Sequence, residues 1–248
     1  MRRPAVVTPE ELRKHIAGTY FALRLGMGVL AVALPVLLWL GGRFVDGEVL
    51  RCSMSAYYYS AAMRDTFVGI LCAIGVSLYL YKGFSRQEDW SLNLAGVLAI
   101  GIALIPTNPD CAAKGGLTPH SALALLFFAT IAYVCLTRAS DTLSLIEDPE
   151  RAKRYLNRYR GLGALMILSP LVAVVLATFL QPSHPGSSLV FFVEGVAVWT
   201  FAAYWMTKSR ELGLTNAEGK ALERKLKVEE QPKDAVKGKP GRVVQVSA

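Results

Sequence analysis

Three residues in a mostly apolar chain carry side chains suited to acid–base or ligand chemistry: Asp65, His120 and Glu194. Glu194 stands inside the apolar run 189–206, five residues past its start, or roughly 8 Å down a helix at 1.5 Å per residue. A carboxylate inside a membrane span is costly and normally faces the bundle interior, a partner or water, so it marks a site by default. A structural hydrogen bond to another helix is the competing reading. His120 follows Thr118-Pro119, an N-cap and first-turn pair, and Asp65 opens a second apolar run. An imidazole flanked by carboxylates binds metal, relays a proton or acts as general base. Equally, Asp65 is suited to capping a helix and His120 to an interfacial hydrogen bond. Ser53, Ser55, Tyr57, Tyr58, Arg64 and Trp199 complete the candidate ligand-binding set, with membrane-interface anchoring as the other use of the aromatic residues.

The elements that must position these residues follow from composition. Of 248 residues, 53% are hydrophobic and 19% charged, and the mean hydropathy is +0.36. Soluble domains carry about 25% charged residues. The apolar excess gathers in six runs, at 20–42, 65–81, 92–107, 120–136, 161–180 and 189–206. Each is long enough to cross a hydrocarbon core of about 30 Å. The expected fold is therefore all-α: a polytopic membrane bundle of six transmembrane helices. Soluble enzymes, disordered chains and nucleic-acid-binding domains are excluded as classes. The net charge of +8 reflects topology instead. Only Arg43, Arg51, Arg64 and Lys114 of the 27 basic residues fall on one side of this layout, and the other 23 on the other. The positive-inside rule then places both termini in the cytoplasm.

Local grammar adds detail. Thr8, Pro9 and Glu11 form a capping box with proline at the first helical position, so a short helix leads into the first span, and no cleavable signal is expected. Asp148-Pro149-Glu150 starts another helix. Arg24 falls near the inner interface, where its stem lies in lipid and its guanidinium reaches headgroups. Three segments are expected: 1–19, inside, with the short helix; 20–207, the transmembrane domain; and 208–248, a basic and largely disordered tail. Cys52 and Cys111 occupy separate outside loops, where disulfides persist, and make a reasonable pair. Spacing alone does not set their distance.

Several stretches together resemble an uncharacterised family of small bacterial six-span membrane proteins. They are Ser53-Met54-Ser55-Ala56-Tyr57-Tyr58-Tyr59, Met63-Arg64-Asp65-Thr66-Phe67-Val68-Gly69, Tyr81-Lys82-Gly83, Asn93-Leu94-Ala95-Gly96, Pro106-Thr107, His120-Ser121-Ala122 and Glu194-Gly195-Val196-Ala197-Val198-Trp199. The resemblance implies the fold over about 20–210 but no activity. A more distant similarity is to ceramidase-like membrane hydrolases, which use Ser, Asp and three His at a zinc site. Ser55, Asp65 and His120 correspond, while two histidines have no counterpart, since His184 sits in a loop and His15 on the inner side. Zinc is thereby disfavoured and no cofactor is expected. The leading expectation is an outward pocket that binds a lipid headgroup or small molecule. The alternatives are a membrane-embedded hydrolase or transferase using Asp65, His120 and Glu194, and a proton-coupled transporter or channel. Membrane lipids are the expected partners, and nucleic acid is not.

Overall fold

A computed structural model describes residues 8–109, 117–184 and 186–222. Within these residues the chain is helical and forms no strand. The first helix, α1 (Pro9–Phe44), begins at the expected capping box: Thr8 accepts from the Glu11 amide, and Glu11 reaches back to the Thr8 amide. The leading segment and the first span are one continuous helix of 36 residues, with Pro35 inside it. A loop containing a 3-10 turn, Ser55–Tyr59, leads to α2 (Met63–Leu80). Then come α3 (Arg86–Leu104), α4 (Pro119–Tyr133), α5 (Pro149–Val175), α6 (Leu189–Thr215) and the short α7 (Ala217–Leu222). The predicted starts hold at Thr118, which accepts from the Ser121 amide at 3.1 Å, and at Asp148, which accepts from Glu150 and Arg151. Both α4 and α5 end in a π-turn, Val134–Arg138 and Leu176–Leu180.

Each long helix packs on its neighbours in the chain, and α6 returns to pack on α1, closing a ring. The tightest approach joins α2 and α3. A Cβ on Gly75 would lie 2.8 Å from the Gly96 carbonyl oxygen, and one on Gly96 2.5 Å from that of Gly75. Only glycine lets these two backbones touch. Ala95, Ala99 and Ala103, fully buried, continue the narrow face. Met27, Leu34, Leu78, Leu92 and Trp205 fill the interior, whereas Val29, Leu37, Leu168 and Leu171 remain exposed on the outside of the ring. An apolar exterior around a packed interior is the reverse of a water-soluble protein.

Five helical stretches are long and apolar enough to cross a membrane: Glu10–Phe44, Met63–Leu80, Pro119–Leu145, Pro149–Leu180 and Leu189–Thr215. The sequence reading expected six. The missing one is α3, whose first turn carries Arg86, Glu88 and Asp89 and so falls short on composition.

Candidate functional site

The loop after α1 is drawn across the start of α6. The Phe191 amide donates to the Cys52 carbonyl at 3.0 Å, and the Ser188 hydroxyl to the Leu50 carbonyl at 3.3 Å. This seats the turn Ser53-Met54-Ser55 above Glu194. The Met54 amide donates to Glu194 Oε2 at 2.6 Å, and the Ser55 hydroxyl meets Oε1 at 3.5 Å. Ser53 Oγ lies 3.2 Å from Ser55 Oγ and accepts from the Ala56 amide, which ties the turn together. Glu194 thus turns inward, toward the loop, and not to lipid.

His120, 6% exposed, is the second residue of α4. Its Nδ1 lies 2.7 Å from the Ile105 carbonyl at the end of α3. A carbonyl only accepts, so Nδ1 carries the proton and, in the neutral ring, Nε2 is an acceptor. The bond also satisfies a carbonyl that the helix end leaves without a partner.

His120 and Glu194 line one cavity of about 90 Å³. One water needs about 10–15 Å³ by the same kind of measure, so the cavity holds several waters or a small headgroup. Its rim is polar, with Ser53, Ser55, Thr107, Asn108, Thr118 and Ser121. Its floor is apolar, with Leu125 and Phe128 of α4, Pro170, Ala173 and Val174 of α5 and Ala197 of α6, and Ala177 and Val190 also line it. Among the described residues neither Lys nor Arg lines it. The π-turn Leu176–Leu180 borders it at Ala177, and π-type turns are frequent at functional sites.

Of the other candidates, Asp65 is exposed in the first turn of α2, away from the cavity lining. The α2 start is capped instead by Asp46, which accepts from the Ala62 amide at 3.0 Å and the Met63 amide at 3.3 Å. Tyr57 is buried, its ring 6.1 Å from Phe191 and 5.9 Å from the Arg51 guanidinium. Gly42 makes room for it, since a Cβ there would come 2.6 Å from its ring. Arg64 stacks on Tyr58 at 4.6 Å, and Trp199 donates to the Val32 carbonyl at 3.2 Å. Ser53, Ser55, His120 and Glu194 therefore share the cavity, whereas Tyr57, Tyr58, Arg64, Asp65 and Trp199 lie outside it. Cys111 lies outside the described residues, and with it the expected Cys52–Cys111 pair; Cys72 and Cys135 are free thiols.

Ser55, Asp65 and His120 do not fit a zinc site, because exposed Asp65 does not reach the cavity that the other two line. Among the described residues no three His, Cys, Asp or Glu side chains converge in a way that would hold a metal ion.

A second polar cluster, at the opposite end of the bundle, is absent from the sequence reading. Arg24 does not reach headgroups: it is 1% exposed, bonded to Ser209 and Tyr81 at 3.2 Å each and paired with Glu218. Burial with a full set of partners replaces lipid contact. Helix α6 continues past residue 207, and its Lys208 ammonium is buried, 2.8 Å from Glu211 and 2.7 Å from the Thr142 hydroxyl. Glu211 also accepts from the Tyr159 hydroxyl at 2.8 Å. Lys and Glu three apart at the end of an apolar run were the available signal.

Fold and cavity define a class: an all-helical, multi-pass membrane protein, by the length and composition of its helices, with a polar cavity at one end. Comparison with known protein families finds no match to the chain, and comparisons with curated proteins and with solved structures find none either.

Proposed function

We propose that this is a six-span inner-membrane protein with cytoplasmic termini, whose outward cavity binds a lipid headgroup or a small amphipathic molecule. The observation that carries the reading is the pairing of two anchored polar groups, Glu194 on the Met54 amide and His120 on the Ile105 carbonyl, above an apolar floor. A polar rim over an apolar floor suits a ligand with a head and a chain, and few placed polar groups in an apolar pocket are the usual makeup of ligand sites. Asp65 lies apart from His120 and Glu194, which favours binding over hydrolysis through all three.

Connectivity supports six crossings. The Tyr59 hydroxyl donates to Thr107 beyond the end of α3, at the cavity end, while Tyr133 late in α4 reaches Gln87 at the start of α3. Helices α2 and α4 both start at the cavity end, so the chain between them must return across the bundle, and α3 with 19 residues does so. At 1.5 Å per residue it is about 28 Å long, close to the thickness of a hydrocarbon core.

Native mass spectrometry of the protein released from membranes tests the binding. A bound amphiphile should be seen on the natural chain and lost from Ala124→Phe, which fills the cavity, while helicity and melting temperature stay close to the original. Equal occupancy of both proteins would place the ligand elsewhere and end this reading.

A further inference from the structure

We propose that the cavity selects a primary ammonium group carried on a short apolar chain, an inference that rests on the cavity being a ligand site. Charge is the first argument. Among the described residues the lining contains one carboxyl group and neither Lys nor Arg, so an anionic head would meet no cationic partner among them, whereas a nearby cation favours the ionised form of the carboxyl group.

The helix starts at this end do not reverse that preference. Helix N-termini attract anions through unpaired amides, but these amides are largely used. Ser121 and Ala122 donate to Thr118, Leu189 to the Ser187 hydroxyl, and Phe191 to Cys52. Position N1 of α4 is Pro119, which has no amide hydrogen.

The acceptors fit an ammonium. Glu194 takes the Met54 amide on Oε2, and also the Ser55 amide and, at 3.5 Å, the Ser55 hydroxyl; a carboxylate offers about four lone-pair sites, which leaves room for a further donor. The tautomer set by Ile105 gives His120 Nε2 an acceptor lone pair. With a rim hydroxyl as a third acceptor, the set matches the three donors of an –NH₃⁺ group. A quaternary ammonium is typically held in an aromatic cage, and among the described residues Phe128 is the single Phe, Tyr or Trp in the lining. The volume of about 90 Å³ suits a small head, and the floor of Leu125, Phe128, Pro170 and Val174 suits an alkyl chain.

The same chemistry is offered by a free alkylamine and by an aminophospholipid headgroup. Calorimetric titration of the full chain in phosphatidylcholine nanodiscs, corrected with empty discs, compares octylamine with octanol, octanoate and octyltrimethylammonium. Octylamine should bind about tenfold tighter than each of the other three, the worth of one charge-assisted hydrogen bond. Glu194→Gln should remove that advantage, bringing octylamine to within about twofold of octanol on the same variant. Equal affinities for octylamine and octanol, or a preference for octanoate, would overturn the ammonium inference and leave the cavity reading standing. Failure of all four compounds to bind would overturn both. The comparison on the natural chain stands whether or not the variant folds. Repeating it in discs containing phosphatidylethanolamine separates the sources: suppressed octylamine binding identifies the lipid headgroup, and unchanged binding a free amine.

Discussion

At the scale of single residues, Lys208 and Glu211 show how much depends on pairing. Both are buried, and Glu211 takes bonds from Lys208, Tyr159 and Thr142. Removing one member of such a pair leaves an uncompensated charge and costs about 3–5 kcal/mol, while replacing both with apolar residues is often far milder. Lys208→Met should therefore destabilise more than the double variant Lys208→Met/Glu211→Leu, as read by thermal unfolding in detergent. Glu194 is graded differently. Glu194→Gln keeps an acceptor for the Met54 amide and should leave folding nearly intact. Glu194→Leu strips that amide of its partner, at about 1–3 kcal/mol, and the same unfolding measurement distinguishes the two.

At the scale of elements, the contact between α2 and α3 and the loop over α6 carry separate predictions. Gly96→Val forces a side chain against the Gly75 carbonyl, so a loss at the upper end of about 1–3 kcal/mol is expected for overpacking, measurable as a lowered melting temperature. The loop is held by carboxylates. The Ser60 hydroxyl, and after it the Ala62 and Met63 amides, keep Asp46 below its ordinary carboxylate range, and the Arg51 guanidinium does the same for Glu48. Groups with depressed folded pKa values contribute stability above their unfolded pKa and lose it as pH falls through the folded one. Their ordinary values are 3.8 and 4.5, so the loop should hold at neutral pH and loosen only below that range. Hydrogen exchange of the Ala62 and Met63 amides, corrected for intrinsic pH dependence, should show protection falling there, and in Asp46→Asn protection should already be lower at neutral pH and fall less on acidification. A Cys52–Cys111 bond, proposed from the two outside loops, would close about 60 residues and add a few kcal/mol in the chain-entropy picture. Intact mass without reductant should show two hydrogens missing.

At the scale of the whole molecule, the asymmetry of basic residues argues for cytoplasmic termini. Reporter fusions after Arg210 and within 108–119 should lie on opposite sides of the membrane. Three helices, α4, α5 and α6, separate these two points, so the same side for both would require one of the three not to cross. The exposed apolar belt of the ring and the buried ionic cluster at the end opposite the cavity then divide the molecule's two polar regions between its two faces.

What the sequence by itself determined is local or cumulative. The caps at Thr8, Thr118 and Asp148 involve residues two or three positions apart, and apolar length sums along one helix, so both read directly from order and type. Glu194 as an inward residue was also legible, because a lone carboxylate in an apolar run has few places to go. Its partner was not: Met54 is 140 residues away, and only closure of the ring brings the loop over α6. Tertiary structure likewise decided that His120 joins Glu194 while Asp65 stays exposed, that Asp46 caps α2, and that Arg24 is buried among Tyr81, Ser209 and Glu218. In each case residue type sets what a side chain is able to do. The direction it leaves its helix, and which helices stand opposite, set what it does.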